Sequence, residues 1–209
     1  MDSYQIDDQP TIAIVGLHGW SGNSKSMIPV ARGVRIRSAR WYLPQGPHKL
    51  NDGEGYSWYS GSESKSWDRD QAFDLLDKLL AQIEFEGFTF ANTFIVGFSM
   101  GACLGLEYGL TRSYAVGGIV AIAGFIRDID TTVKSFSESG KSTPVMLLHG
   151  FNDEIVAPDQ SRMVANRLRE RGNRVSLEIY EANHKIPIQK FEPLRNFIIA
   201  NSPSNHQEH

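Results

Sequence analysis

Three residues of this chain carry the means for acyl chemistry: Ser99, Asp153 and His184. Ser99 stands inside Gly97-Phe98-Ser99-Met100-Gly101. A glycine two residues before and after a serine suits a sharp strand-to-helix turn, where larger neighbours would strike the backbone. The hydroxyl then sits at a helix N-terminus, whose unpaired N–H groups favour negative charge developing beside it. Five letters alone do not establish this, because a Gly/Ser loop reads the same way. A nucleophilic serine also needs a base to take its proton and a carboxylate to orient that base and stabilise its cation. Asp153 and then His184 follow the serine along the chain, the acid before the base, each in a loop just after an apolar run.

Other residues compete for these roles. His18 and His149 each precede a glycine at a strand end and read as loop-organising histidines bonded to backbone; the alternative is a metal site built from them, for which no further ligand cluster is present. His48 falls in a polar loop, and His206 and His209 in the tail. His184 is the histidine in the right place. For the acid, Asp153 competes with Glu154 and with Asp128 and Asp130 after the preceding strand, and Asp153 could also be a turn residue capping its own backbone. The oxyanion of an acyl-transfer intermediate needs N–H donors. One is the backbone N–H of Met100, directly after the serine, and the other belongs to the glycine turn His18-Gly19-Trp20, at Trp20.

The elements that must hold these groups alternate along the chain. Thr11 to Leu17 is an apolar run with little alternation, as in a parallel strand covered on both faces. Ser24 is placed to cap a helix running to about Arg32, and Gly33 to Leu43 holds a less regular strand candidate with Val34, Ile36 and later Trp41 to Leu43. Pro44-Gln45-Gly46-Pro47 forces a loop. His48 to Ser66 is a long Gly, Ser, Asp and Asn segment with Tyr56, Trp58, Tyr59 and then Trp67 interleaved, aromatics that either line a pocket or pack the loop onto the body. Trp67 to Phe85 has the apolar stripe of an amphipathic helix. Strands follow at Thr93 to Gly97, Val116 to Ala121, Pro144 to Leu148 and Arg174 to Tyr180, with helices at about Met100 to Leu110, Asp159 to Arg171 and Ile188 to Ala200, the last beginning after Pro187. The segment Arg127 to Thr143 is too short for a substantial cap. Strands alternating with helices imply an α/β fold with a mostly parallel sheet of six to seven strands and helices on both faces.

Composition narrows the classes. The 209 residues, 41% hydrophobic and 22% charged, fit one domain spanning 1–209, with 1–10 and 202–209 as frayed ends. A net charge of -3 with scattered Lys and Arg gives no footprint for nucleic acid. The single cysteine, Cys103, has no intramolecular disulfide partner and reads as a small buried hydrophobe. No apolar run approaches the ~18 residues of a membrane span and the acidic start lacks a signal pattern, so a soluble cytoplasmic protein is the expectation.

Taken together, Leu17-His18-Gly19, Pro44-Gln45-Gly46-Pro47, Trp58-Tyr59, Gly97-Phe98-Ser99-Met100-Gly101, His149-Gly150-Phe151-Asn152-Asp153 and Asn183-His184 resemble the phospholipase/carboxylesterase family of α/β hydrolases, which includes acyl-protein thioesterases. The resemblance covers nearly the whole chain. It implies a serine esterase or thioesterase with Ser99 as nucleophile, Asp153 and His184 as its acid and base, an oxyanion donor at Trp20, and no metal or organic cofactor. Its substrate would be a small ester or thioester or an acylated protein, handled by a monomer or a homodimer. Two other readings of the same residues stand beside it: a catalytically silent ligand receptor on this fold, and an acyltransferase in which an alcohol or amine replaces water. This chain departs from the family pattern at Met100, where glutamine is common, at Trp20, where leucine is usual, and at Glu181-Ala182-Asn183 before the histidine.

Overall fold

The computed structural model describes residues 1–51, 53, 55–62, 66–186 and 188–203. From the N-terminus, β1 (Asp2–Gln5) and β2 (Ile12–Leu17) lead to α1 (Ile28–Val34) and β3 (Ala39–Leu43). Two short antiparallel ribbons follow, β4 (His48–Lys49) with β5 (Tyr56–Ser57) and β6 (Ser60–Ser62) with β7 (Ser66–Asp68). The chain then alternates through α2 (Asp70–Phe85), β8 (Thr93–Phe98), α3 (Met100–Thr111), β9 (Gly118–Ile122), α4 (Ile129–Thr132), β10 (Val145–Gly150), α5 (Pro158–Arg171), β11 (Val175–Tyr180) and α6 (Phe191–Asn201).

Among the described residues the main sheet has seven strands in the order β1-β3-β2-β8-β9-β10-β11, parallel except for β1. Strands β2, β9 and β10 are buried along their whole length. Their side chains alternate between two cores, which is why their sequences show no polar face. Ala13, Val15, Ile95, Ile119 and Leu147 face one core, shared with Leu76 and Leu80 of α2, Leu104 of α3 and Leu168 of α5. Ile14, Phe94, Val96, Val120 and Leu148 face the other, shared with Val30 and Val34 of α1 and Leu194 and Ile198 of α6. The fold is therefore the α/β-hydrolase layering expected, and residues 127–143 contribute only α4 and two 3-10 turns.

The chain builds outward from β2 to β3, then returns to place β8 on the other side of β2. At such a reversal the loops leaving two neighbouring strands diverge, opening a crevice beyond their carboxyl ends. The turn Gly19-Trp20 and the residue Ser99 stand at the ends of those two strands.

Several local expectations are corrected. Residues 2–5 are not frayed: they pair antiparallel with Arg40 to Leu43 as an edge strand. Val34 and Ile36 belong to no strand; α1 runs to Val34 and ends with Arg35 in a left-handed conformation, φ 51°. Asn23, not Ser24, caps the turn before α1, its Oδ1 accepting from the Lys25 N–H while Ser26 Oγ accepts from the Asn23 N–H. Trp67 lies in β7, and α2 starts at Asp70. Before α6, Ile188–Lys190 form a 3-10 turn, and Pro187 lies outside the described residues. So do residues 52, 54 and 63–65 of the aromatic loop and the tail histidines His206 and His209. Ser202 is buried, its hydroxyl donating to Ile199 O.

Candidate active site

Ser99 occupies the step from β8 to α3 with φ 52° and ψ -119°, a backbone region that side chains other than glycine's rarely enter. Its neighbours explain how the turn closes. A Cβ on Gly97 would lie 2.4 Å from Gly101 O, and one on Gly101 would lie 2.3 Å from Leu17 O. The turn is pinned by the Ser99 N–H donating to Ile122 O across the sheet, at 2.8 Å.

His184 and Asp153 converge on it from the loops after β11 and β10. His184 Nε2 lies 2.9 Å from Ser99 Oγ and its Nδ1 lies 2.7 Å from Asp153 Oδ2. The carboxylate only accepts, so Nδ1 carries the proton and Nε2 is left to accept from the serine hydroxyl. The other Asp153 oxygen accepts from the N–H groups of Ile155 and Val156, each at 2.9 Å. Burial of the Asp153 carboxyl pushes its pKa up, but these hydrogen bonds and His184 outweigh burial and hold it below the usual aspartate value. The Phe98 ring packs against the imidazole with centroids 5.0 Å apart, limiting its rotation.

The competing acids lie elsewhere. Glu154 is exposed, Asp130 pairs with Arg167 at 2.6 Å, and Asp128 lines a cavity wall without a bond to His184. The competing histidines are loop organisers. The Gly46 N–H donates to His18 Nε2 at 3.0 Å, so His18 Nδ1 carries the proton and donates to Gly19 O at 2.7 Å. Burial lowers the pKa of His18 and keeps this neutral form. The ring also packs on Trp58, whose indole N–H donates to His18 O at 2.8 Å. His149 contacts Ser161 Oγ and Val156 O at 2.7 and 2.9 Å, and its Nε2 lies 3.3 Å from the same Asp153 oxygen that faces His184. His149 thus shares its turn, His149-Gly150-Phe151-Asn152-Asp153, with the acid, and the structure adds the contact between them.

Two cavities border the site, one lined by Ser99 and the other by His184. One, of about 540 Å³, runs between Trp20, Trp67, Phe125 and Val156 and along Ser99 and the α3 residues Met100, Cys103 and Glu107. The other, about 760 Å³, lies on the His184 side, between Trp20, Met27, Val30, Phe98, Ile186 and Phe191. Trp20 borders both. The interleaved aromatics divide: Trp58 packs the loop, whereas Tyr59 and Trp67 line the first cavity. Among the described residues, no hydrogen bond engages the N–H of Trp20 or of Met100, and no group of three or more His, Cys, Asp or Glu is placed to hold a metal ion. Nor is any helix among the described residues long and apolar enough to cross a membrane.

Residues 5–202 match the profile of a family described as Phospholipase/Carboxylesterase. The chain is 23% identical over 201 residues to carboxylesterase SOBER1 of Arabidopsis thaliana, an alignment covering 88% of each. It is 23% identical over 211 residues to acyl-protein thioesterase 1 of Yarrowia lipolytica, covering 91% of this chain and 92% of the relative. Its fold is similar to the crystal structure of esterase PE8, with TM-score 0.84 and 23% identity over 95% of this chain and 97% of that one.

Proposed function

The chain belongs to the phospholipase/carboxylesterase family, and from that membership we propose that this single-domain hydrolase cleaves carboxylic esters or thioesters through an acyl group carried on Ser99 Oγ. The observation that carries the reading is His184, whose two ring nitrogens meet Ser99 Oγ and Asp153 Oδ2 at once. Ser99 Oγ attacks the substrate carbonyl carbon while its proton passes to Nε2. The carbonyl oxygen becomes an oxyanion, received by the N–H groups of Trp20 and Met100. The imidazolium, stabilised by Asp153, then gives its proton to the departing oxygen or sulfur, and the carbon–heteroatom bond breaks. Water repeats the sequence on the acyl enzyme and restores Ser99.

Proton delivery supports one assignment of the substrate's halves to the two cavities. The leaving atom must come within hydrogen-bond reach of Nε2, so the leaving group occupies the cavity beside His184 and Phe98, and the acyl group runs the other way, along α3. Either a small ester or thioester or an acylated side chain at a protein surface fits this arrangement. The ordered Ser99-His184-Asp153 chain favours turnover over a silent receptor. Transfer of the acyl group to an alcohol or amine uses the same atoms, and product analysis with a competing acceptor separates it from hydrolysis.

The test is covalent. A fluorophosphonate should add one phosphonyl group to Ser99, located by mass spectrometry, with no adduct on the Ser99→Ala protein. An adduct on another residue, or none on the folded wild type, overturns the assignment.

A further inference from the structure

The cavity that receives the acyl group does not end in hydrocarbon. Ser99, Cys103 and Glu107 recur every four residues, which stacks them on one face of α3, and all three line that cavity. Glu107 is 4% exposed within a helix whose other inner residues are apolar. Arg69 Nη1 donates to its Oε2 at 2.7 Å, and the Tyr59 hydroxyl lies 3.4 Å from the same oxygen. Among the described residues, no hydrogen bond engages the other oxygen, Oε1. Burial pushes the Glu107 carboxyl pKa up, with Arg69 opposing that shift.

A long alkyl chain entering from Ser99 would press its methyl end against this cluster, displacing water from charged groups and offering them no hydrogen bond in return. An acyl group with a polar end would replace that water. The charges select the kind of end. Arg69 and Arg127 are balanced along the cavity by Glu107 and Asp128, so a carboxylate meets Glu107 and an ammonium meets two guanidinium groups. A hydroxyl suits both partners, donating to Glu107 Oε1 and accepting from Arg69 or Tyr59. Ser99 and Glu107 stand eight helical steps apart, about 12 Å of rise, which at about 1.2 Å per extended bond matches an acyl chain of roughly eight carbons or fewer.

Resting on the acyl-enzyme reading above, we propose that Glu107, Arg69 and Tyr59 are specificity-determining residues that select medium-length acyl groups ending in a neutral hydroxyl over plain alkyl chains. The experiment compares kcat/KM of the wild-type protein on p-nitrophenyl hexanoate and octanoate with the 6-hydroxy and 8-hydroxy esters, whose remote hydroxyl does not alter the carbonyl's own reactivity. Carboxylate-terminated and ammonium-terminated esters of the same lengths complete the panel. At one or both lengths the hydroxy ester should be favoured at least fivefold over its alkyl partner and over both charged forms. The double variant Arg69→Met, Glu107→Leu removes both charges together and should turn the preference toward alkyl chains. Equal or better rates for the alkyl esters at both lengths, or a charged ester preferred to the hydroxy one, overturns the proposal whether or not the variant folds. Fluorophosphonate labelling of Ser99 on the same sample separates the two claims. A labelled Ser99 with alkyl preference ends only the specificity proposal, whereas an unlabelled Ser99 ends the reading beneath it.

Discussion

Gly97 and Gly101 approach so closely that a methyl group on Gly97 would lie 2.4 Å from the carbonyl oxygen of Gly101. Gly97 is thus required by a contact between strand and helix backbones, Gly101 by its own approach to Leu17 O, and Ser99 is presented between the two.

Gly97→Ala should therefore cost at least about 2 kcal/mol, in the range of overpacking a tight core site, because the atoms it meets are main chain and cannot rotate away. The urea midpoint should fall with an unchanged m-value. An alanine variant as stable as wild type contradicts the closure described.

Ser99 itself sits at φ 52°, a conformation whose strain is of order 1–3 kcal/mol for a residue with a Cβ. Ser99→Gly and Ser99→Ala should both lose turnover by about 10⁴-fold or more, as removal of a serine nucleophile does. They should differ in stability, with the glycine variant about 1 kcal/mol more stable than the alanine variant. Thermal unfolding of the pair reads this, and equal midpoints argue against strain at the turn.

Asp153→Asn should leave binding of substrate nearly intact and lower kcat by about 10⁴-fold, since an amide lets His184 take the wrong tautomer. Steady-state kinetics on a short p-nitrophenyl ester measures it; a variant within tenfold of wild type would remove Asp153 from its role.

The same carboxyl titrates below its ordinary value in the folded protein. Its ionised form therefore adds stability above the unfolded aspartate pKa of about 3.9, and that contribution is lost as the pH falls through the lower folded value. The gap in urea midpoint between wild type and Asp153→Asn should stay open near neutrality and close only in acid below about pH 4. A gap independent of pH contradicts the linkage.

Cys103 is buried against Phe125, and burial raises its thiol pKa to about 12. Against a free thiol near 8.5, the thiolate fraction at mildly alkaline pH is lower by roughly a thousandfold. Native protein should react slowly with a disulfide reagent such as DTNB at that pH and rapidly in guanidinium chloride. Fast reaction in the native state would place the thiol in water.

The sequence displays this site because its chemistry is written in spacing. Gly97, Ser99 and Gly101 must be near neighbours, and Asp153 and His184 must each follow a strand, so short local patterns point to them. β1 is less legible: Asp2–Gln5 is a polar edge strand whose alternate residues face solvent, and its pairing depends on Arg40 to Leu43, far along the chain. Val34 and Ile36 form too short an apolar run to separate a helix end from a strand. Arg35 closes α1 in a left-handed turn where glycine is the usual signal. Glu107 was passed over because its meaning depends on Arg69, 38 residues earlier.

Trp20 forms part of the wall of both cavities, the one lined by Ser99 and the one lined by His184. On the proposed reading one ester would meet two different sets of elements: α3 and the ribbon loops on one side, α1 and the approach to α6 on the other. Replacements at Val30 or Phe191 can retune the alcohol or thiol half while the Glu107 cluster stays fixed, and replacements at Tyr59 or Glu107 can do the reverse. A scaffold divided in this way diversifies by halves, acquiring a new leaving-group range and a new acyl range in separate evolutionary steps.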